Sequence, residues 1–175
     1  MVRAFRVLLA AAVCLVPVAA SAQAPAGYKG PYDAVKTFIT KAADQVTEAN
    51  YAFKATPEVR SLGQLFGHIA NANFMICSSA SGAANPAAGK NAEQLTAKAD
   101  IQKVLADSFA FCDQAWAATE GAKGDEAVKV FGADHTRRSA LAFNSAHDWE
   151  HYGNIVTYMR LKGMIPPSSA GGGMN

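Results

Sequence analysis

The chain has 175 residues, enough for one domain with a sizeable core, with or without short tails. Half of the residues are hydrophobic, but outside the N-terminus no apolar run reaches the ~20 residues that a bilayer span needs. The formal charge of +2 leaves no basic excess of the kind that drives nucleic-acid binding.

The N-terminus reads as a targeting segment. Arg3 and Arg6 make a positive start, Val7 to Ala20 an apolar stretch, and Ala20-Ser21-Ala22 a small-x-small cleavage signature. Val13 stands before Cys14, where a lipoprotein would need a small residue. The expectation is a signal peptide over residues 1–22, cleaved after Ala22, with the mature protein periplasmic or secreted and without an integral membrane segment. Cleavage removes two Arg and no acid, taking 16 basic residues to 14 against 14 acidic ones. A neutral mature chain is a poor partner for nucleic acid or anionic lipid. Cys77 and Cys112 remain, and in an oxidising compartment they make either one disulfide or two small buried thiols.

Residues 23–30 look like a flexible leader, and a single helical domain is expected over 31–168. From Pro31, apolar side chains recur at Val35, Phe38, Ile39, Ala42 and Val46, which predicts a helix fading near Asn50. Ser61 stands three residues before Gln64 as a capping box, and Leu62, Leu65, Phe66, Ile69 and Ile76 form the stripe of a second helix to about Ser79. Residues 80–96 are small, polar and interrupted by Pro and Gly, a long loop of the kind that is often functional. Ile101, Val104, Leu105, Phe109, Cys112 and Trp116 mark a third helix ending near Gly121–Gly124. Val128 to Phe131 read as briefly extended before Gly132, and nothing else reads as strand. A fourth helix starts at Asp134 or Thr136 and stops at Gly163, ahead of Pro166-Pro167, leaving a disordered tail over 169–175. Four amphipathic helices without a sheet predict an all-α, up-and-down four-helix bundle. Trp116, Trp149, Phe66, Phe74 and Phe143 are expected in its core, and Arg137-Arg138 at a solvated helix end.

The histidines carry the chemistry. His147 and His151, four apart, lie about 40° from each other on one helical face. Imidazoles so spaced can converge on one divalent ion. His135 lies 12 residues before His147, roughly 18 Å along a helix, and is expected to be solvated. His68, at the edge of the second helix's stripe, should point into the bundle, where facing helices bring distant residues together. It reads either as a core histidine or as a third ligand. His147 to His151 also fits H-x-x-E-H, the inverted zinc-protease signature, with Glu150 as base. No acidic residue follows His151 to supply that signature's later ligand, so this reading is the weaker one. Glu150 is the only carboxylate apparent beside the pair, and a solvated surface role suits it better.

The strings LGQLFGHIANANF on the second helix and HDWEHYGNIVTYMRLKGMIPP on the fourth resemble the DinB-like family of four-helix metal-site proteins. The resemblance runs over residues 31–168. It implies a three-histidine site for zinc or nickel with His68, His147 and His151 as ligands, and it places Asn154 where many relatives carry Gln. Some relatives are transferases or isomerases that use a low-molecular-weight thiol. The functional expectation is an exported metal-dependent enzyme of the thiol-transfer or hydrolysis class acting on a small molecule. The alternative is a non-catalytic metal-binding stress protein, and the oligomeric state, a homodimer included, is left open.

Overall fold

The computed structural model describes residues 27–171; the expected signal segment, the leader up to residue 26 and the last four tail residues lie outside that range. The architecture is an all-α bundle of four long helices. They are α1 (Lys29–Gln45), α3 (Leu62–Ser81), α4 (Lys98–Ala118) and α5 (Arg137–Leu161). A single turn, α2 (Glu48–Tyr51), follows α1, and a hairpin of β1 (Ala127–Val130) and β2 (Ala133–Thr136) precedes α5. Among the described residues no helix is long and apolar enough to cross a membrane.

The helix starts follow local chemistry. Ser61 and Gln64 form the expected capping box on α3, and Thr136 with Ser139 forms a second on α5. Asp134, the other candidate cap, lies in β2 and pairs with Lys129. Gly82 closes α3 and Gly163 follows α5, both with positive φ. The core fills from all four helices: Tyr32, Val35 and Ile39 of α1, Phe66, Ile69 and Ile76 of α3, Ile101 and Leu105 of α4, Leu141, Ile155 and Met159 of α5.

Helix directions explain the long loop. Gly63 of α3 approaches Ile101 of α4. Farther along, Asn73 bonds Ser108, and Cys77 is joined to Cys112 by a disulfide with Cα atoms 5.3 Å apart. Both contacts advance in the same sense, so α3 and α4 run parallel, where strict up-and-down alternation would set them antiparallel. α5 runs antiparallel to α3, since Asn144 meets Asn73 while Arg137 reaches the Ala80 carbonyl near the other end. After 20 residues, about 30 Å of helix, the chain must therefore return the length of α3 before α4 can begin. The 82–97 segment makes this return, with Ala83 beside Ser78, Asn91 beside Asn71 and Ala92 beside Gly67. Of the two readings of Cys77 and Cys112, the structure holds the disulfide, fully buried between α3 and α4.

Three expectations fail at the hairpin. The extended stretch does not stand alone: β1 pairs antiparallel with β2 in the register Val130↔Ala133, and Phe131-Gly132 is the turn rather than the strand's end. Both turn residues have positive φ, 50° and 83°, the mirror-image turn that suits tight hairpins. Phe143 is not core; it is 39% exposed, with its ring against Phe131 and His135. Arg137 and Arg138 are half-buried, bonded to Glu126 and Asp125 under the hairpin, rather than a free helix end.

Candidate metal centre

The i, i+4 spacing on α5 puts the rings of His147 and His151 together, with centroids 4.4 Å apart and Nε2 atoms 3.0 Å apart. His68 enters from α3, its ring 5.2 Å from that of His147 and 4.6 Å from that of His151. One donor nitrogen from each of the three lies within 4.8 Å of the others. A tetrahedral ion with metal–nitrogen bonds near 2.0–2.1 Å would separate its ligands by about 3.3 Å, so the cluster needs only small ring motions to close on one cation. Two nitrogens facing at 3.0 Å either share a proton or share a cation. His135 lies apart on β2, half-buried beside Phe143.

Each half of the cluster has a carboxylate behind it. The His68 Nδ1–H donates to Glu93 Oε1 at 2.8 Å, and the Arg60 guanidinium donates to Glu93 Oε2 at 2.9 Å. Nδ1 is thereby committed as a donor, leaving the Nε2 lone pair toward the other rings. Burial alone would raise the Glu93 pKa, but the hydrogen bonds from Arg60 and His68 outweigh it and hold the carboxyl below its usual range. On α5, Asp148 is fully buried, and burial pushes its pKa up to about 6. Its Oδ1 has no hydrogen-bond partner and sits 4.0 Å from His147 Nδ1, which also has none. Asp148 ends a buried polar chain across the bundle, through Asn144 Nδ2 at 3.4 Å to Asn73 and on to Ser108.

Neither carboxylate carries a local sequence signal, and Glu150, the acidic neighbour expected beside the pair, takes neither place. Glu150 is exposed, and with Glu58, Arg60, His151 and Asn154 it lines a polar cavity of about 630 Å³. Neither Glu93 nor Asp148 belongs to the converging donor set; both stand behind imidazoles. The acidic fourth ligand that peptide cleavage would require is therefore not among the described residues.

Electrostatics favour a neutral ring at His151 and at His68. Burial, reinforced by the charges of His147 and His68, lowers the His151 pKa to about 4. Burial also lowers that of His68, against the pull of Glu93. Imidazoles neutral at pH 7 present lone pairs, which a metal ion requires and a proton would block. A second cavity, about 430 Å³, opens onto His68 and His147 and is walled by α3, the 82–97 return and Phe131 of the hairpin.

Residues 33–155 match the family model of the DinB superfamily. Two solved structures are similar. A DinB-like protein from Bacillus cereus is 17% identical, with a TM-score of 0.68 over 81% of this chain and 94% of its own. A DinB-like protein from Bacillus subtilis is also 17% identical, with a TM-score of 0.59 over 78% of this chain and 91% of its own. At that identity the likeness carries the fold alone. No curated protein matches the sequence.

Proposed function

This chain belongs to the DinB superfamily, and on that premise we propose that it is an exported protein holding a divalent cation, zinc or nickel, on His68, His147 and His151. We read it as a metal-dependent enzyme for a small molecule, of the thiol-transfer or hydrolysis class. The observation that carries the reading is the convergence of three imidazoles from two helices, two of which, His68 and His147, line an open cavity. Three imidazoles leave a fourth position free, the pattern of catalytic rather than closed structural zinc sites. That opening is why the enzyme reading is preferred to a non-catalytic metal-binding stress protein. Export is supported by the N-terminal segment and by the Cys77–Cys112 disulfide, which suits an oxidising compartment.

A divalent cation here would lower the pKa of a coordinated water or thiol, generating a nucleophile near neutral pH. The chain's own residues do the positioning. Glu93, clamped by Arg60, fixes the tautomer and plane of His68. Asp148 stands behind His147, close enough that a small ring rotation would let Nδ1–H donate to Oδ1.

Metal analysis of the purified mature chain beside His68→Ala and His147→Ala tests the reading. The expected result is one equivalent of zinc or nickel in wild type, with affinity reduced by more than about 100-fold in each variant, beyond the usual cost of losing a supporting contact. Retention of metal by His68→Ala would sink the three-histidine site while leaving the α5 pair standing.

A further inference from the structure

We propose that the 430 Å³ cavity takes a small molecule with a compact apolar body, aromatic or branched, and a metal-directed donor at one end, and that Phe131 selects that body. The inference rests on the reading of the histidines as a metal site. It is carried by three features of the cavity and its rim.

The first is the chemistry of the lining. His68 and His147 lie at the floor, while Ala72, Phe74, Met75, Ala87, Ala88 and Phe131 supply apolar wall. The oxygens of the amides that also line it are already engaged. Asn71 Oδ1 accepts from the Ala92 amide, Asn91 Oδ1 from Asn71 and the Glu93 amide, and Asn85 Oδ1 from the Ala87 amide. Those oxygens hold the return segment in shape and Glu93 is held by His68 and Arg60, so recognition falls mainly to apolar surface and the imidazoles, with the Asn85 and Asn91 Nδ2 groups left as donors. Lys90 in the lining disfavours a cationic body. The volume lies in the range of small-molecule sites.

The second is Phe131 itself. Its φ of 50° belongs to the left-handed region, where a hairpin turn favours Asn, Asp or Gly. Its ring is 64% exposed, edge-on to the partly exposed Phe143. Neither turn formation nor core burial accounts for a phenylalanine there; an outlier of this kind points to function. Placed at the cavity wall with Met75, which is 43% exposed, it extends the apolar surface outward from the histidines. Met75 and Phe131 line one concavity together, unlike the apolar side chains exposed singly elsewhere on the surface.

The third is the contrast with the other cavity. The space beside His151 carries four charged residues, Glu58, Arg60, Glu93 and Glu150, with Val59, Leu65 and Tyr158, whereas the first cavity carries two, Lys90 and the shared Glu93. An apolar body placed there would desolvate charged groups, which is unfavourable. The two openings are therefore not equivalent, and an apolar ligand has a physical reason to enter past Phe131.

The test uses the zinc-loaded mature chain and two probes, acetohydroxamate, a metal-binding donor without a body, and benzohydroxamate, the same donor with a phenyl group. Zinc stoichiometry is measured by dialysis and probe affinity by calorimetry. Wild type is expected to bind benzohydroxamate about tenfold or more tighter than acetohydroxamate, the gain of burying a phenyl group. In Phe131→Asn, whose new side chain suits the turn, that gain should fall to about threefold or less, with acetohydroxamate affinity unchanged. In Glu58→Gln, at the other cavity, both affinities should stay as in wild type. Equal affinity for the two probes in wild type, or an undiminished gain in Phe131→Asn, overturns the proposal while zinc binding stands. Failure to bind zinc overturns the metal reading and this inference together.

Discussion

The two helices that build the histidine cluster prepare their ligands differently. On α3, His68 is braced: its Nδ1 is tied to Glu93, and Glu93 is tied to Arg60. On α5, His147 and His151 sit one turn apart with both Nδ1 atoms unpartnered, and the buried Asp148 stops 4.0 Å short of His147. The α3 half is thus pre-organised by a loop, and the α5 half by helical periodicity alone. A ligand set by helix spacing arrives at the right place; a ligand braced by a carboxylate arrives with the right ring nitrogen and the right plane as well.

The contrast can be broken most directly at the two carboxylates. Glu93→Gln is expected to weaken zinc binding by about 10- to 100-fold, because the Gln side chain no longer fixes the tautomer with a charge. Asp148→Asn should cost less, about tenfold or under, if Asp148 stays beyond hydrogen-bond reach of His147. Competition titration with a chromophoric chelator measures both. Equal losses would mean that the loaded α5 half becomes as tightly braced as the α3 half.

Gly67 sharpens the same contrast from the backbone side. A Cβ at this position would lie 2.5 Å from the Ala92 carbonyl oxygen and 2.9 Å from the Glu93 amide nitrogen. The missing side chain is what lets the return segment close on α3 and set Glu93 against His68. Gly67→Ala should therefore push the segment away, weaken zinc binding by up to about tenfold and cost about 1–3 kcal/mol of stability. Chelator competition and thermal unfolding read the two effects. Unchanged zinc affinity with reduced stability would show that Glu93 reaches His68 without this close approach.

Acid titration of the metal-free protein gives the smallest effect. The His151 ring protonates near 6.5 when unfolded but resists to about 4 when folded. Its contribution to stability is present above 6.5 and lost as pH falls through that window. Asp148 acts in the opposite sense: its folded value near 6 exceeds the unfolded 3.8, so protonation on acidification relieves its burial. Removing that offset, Asp148→Asn should lose more thermal stability than wild type between about pH 6.5 and 4. Parallel profiles would contradict the opposed titrations.

Much of this was legible in the residues. The capping box at Ser61 and Gln64 and the stops at Gly163 and Pro166 are local signals, read by chemistry that acts within a turn or two. The His147–His151 pair was legible for the same reason, since helical periodicity alone places both rings on one face. Glu93 was not, because it lies 25 residues from His68 in a stretch without periodicity. Asp148 was hidden differently: it lies about 100° around α5 from His147, and its carboxylate faces a buried chain of amides from α3 and α5.

By itself, the sequence determined four amphipathic helices, their ends, and two imidazoles on one helix face. Only the tertiary structure decided that α3 and α4 run parallel. That direction forces the 82–97 segment back along α3, where it carries Glu93 to His68 and walls a cavity over the histidines. Helix formation depends on neighbours in the chain. The sense in which helices pack depends on the burial of whole faces, and no short stretch of residues records it.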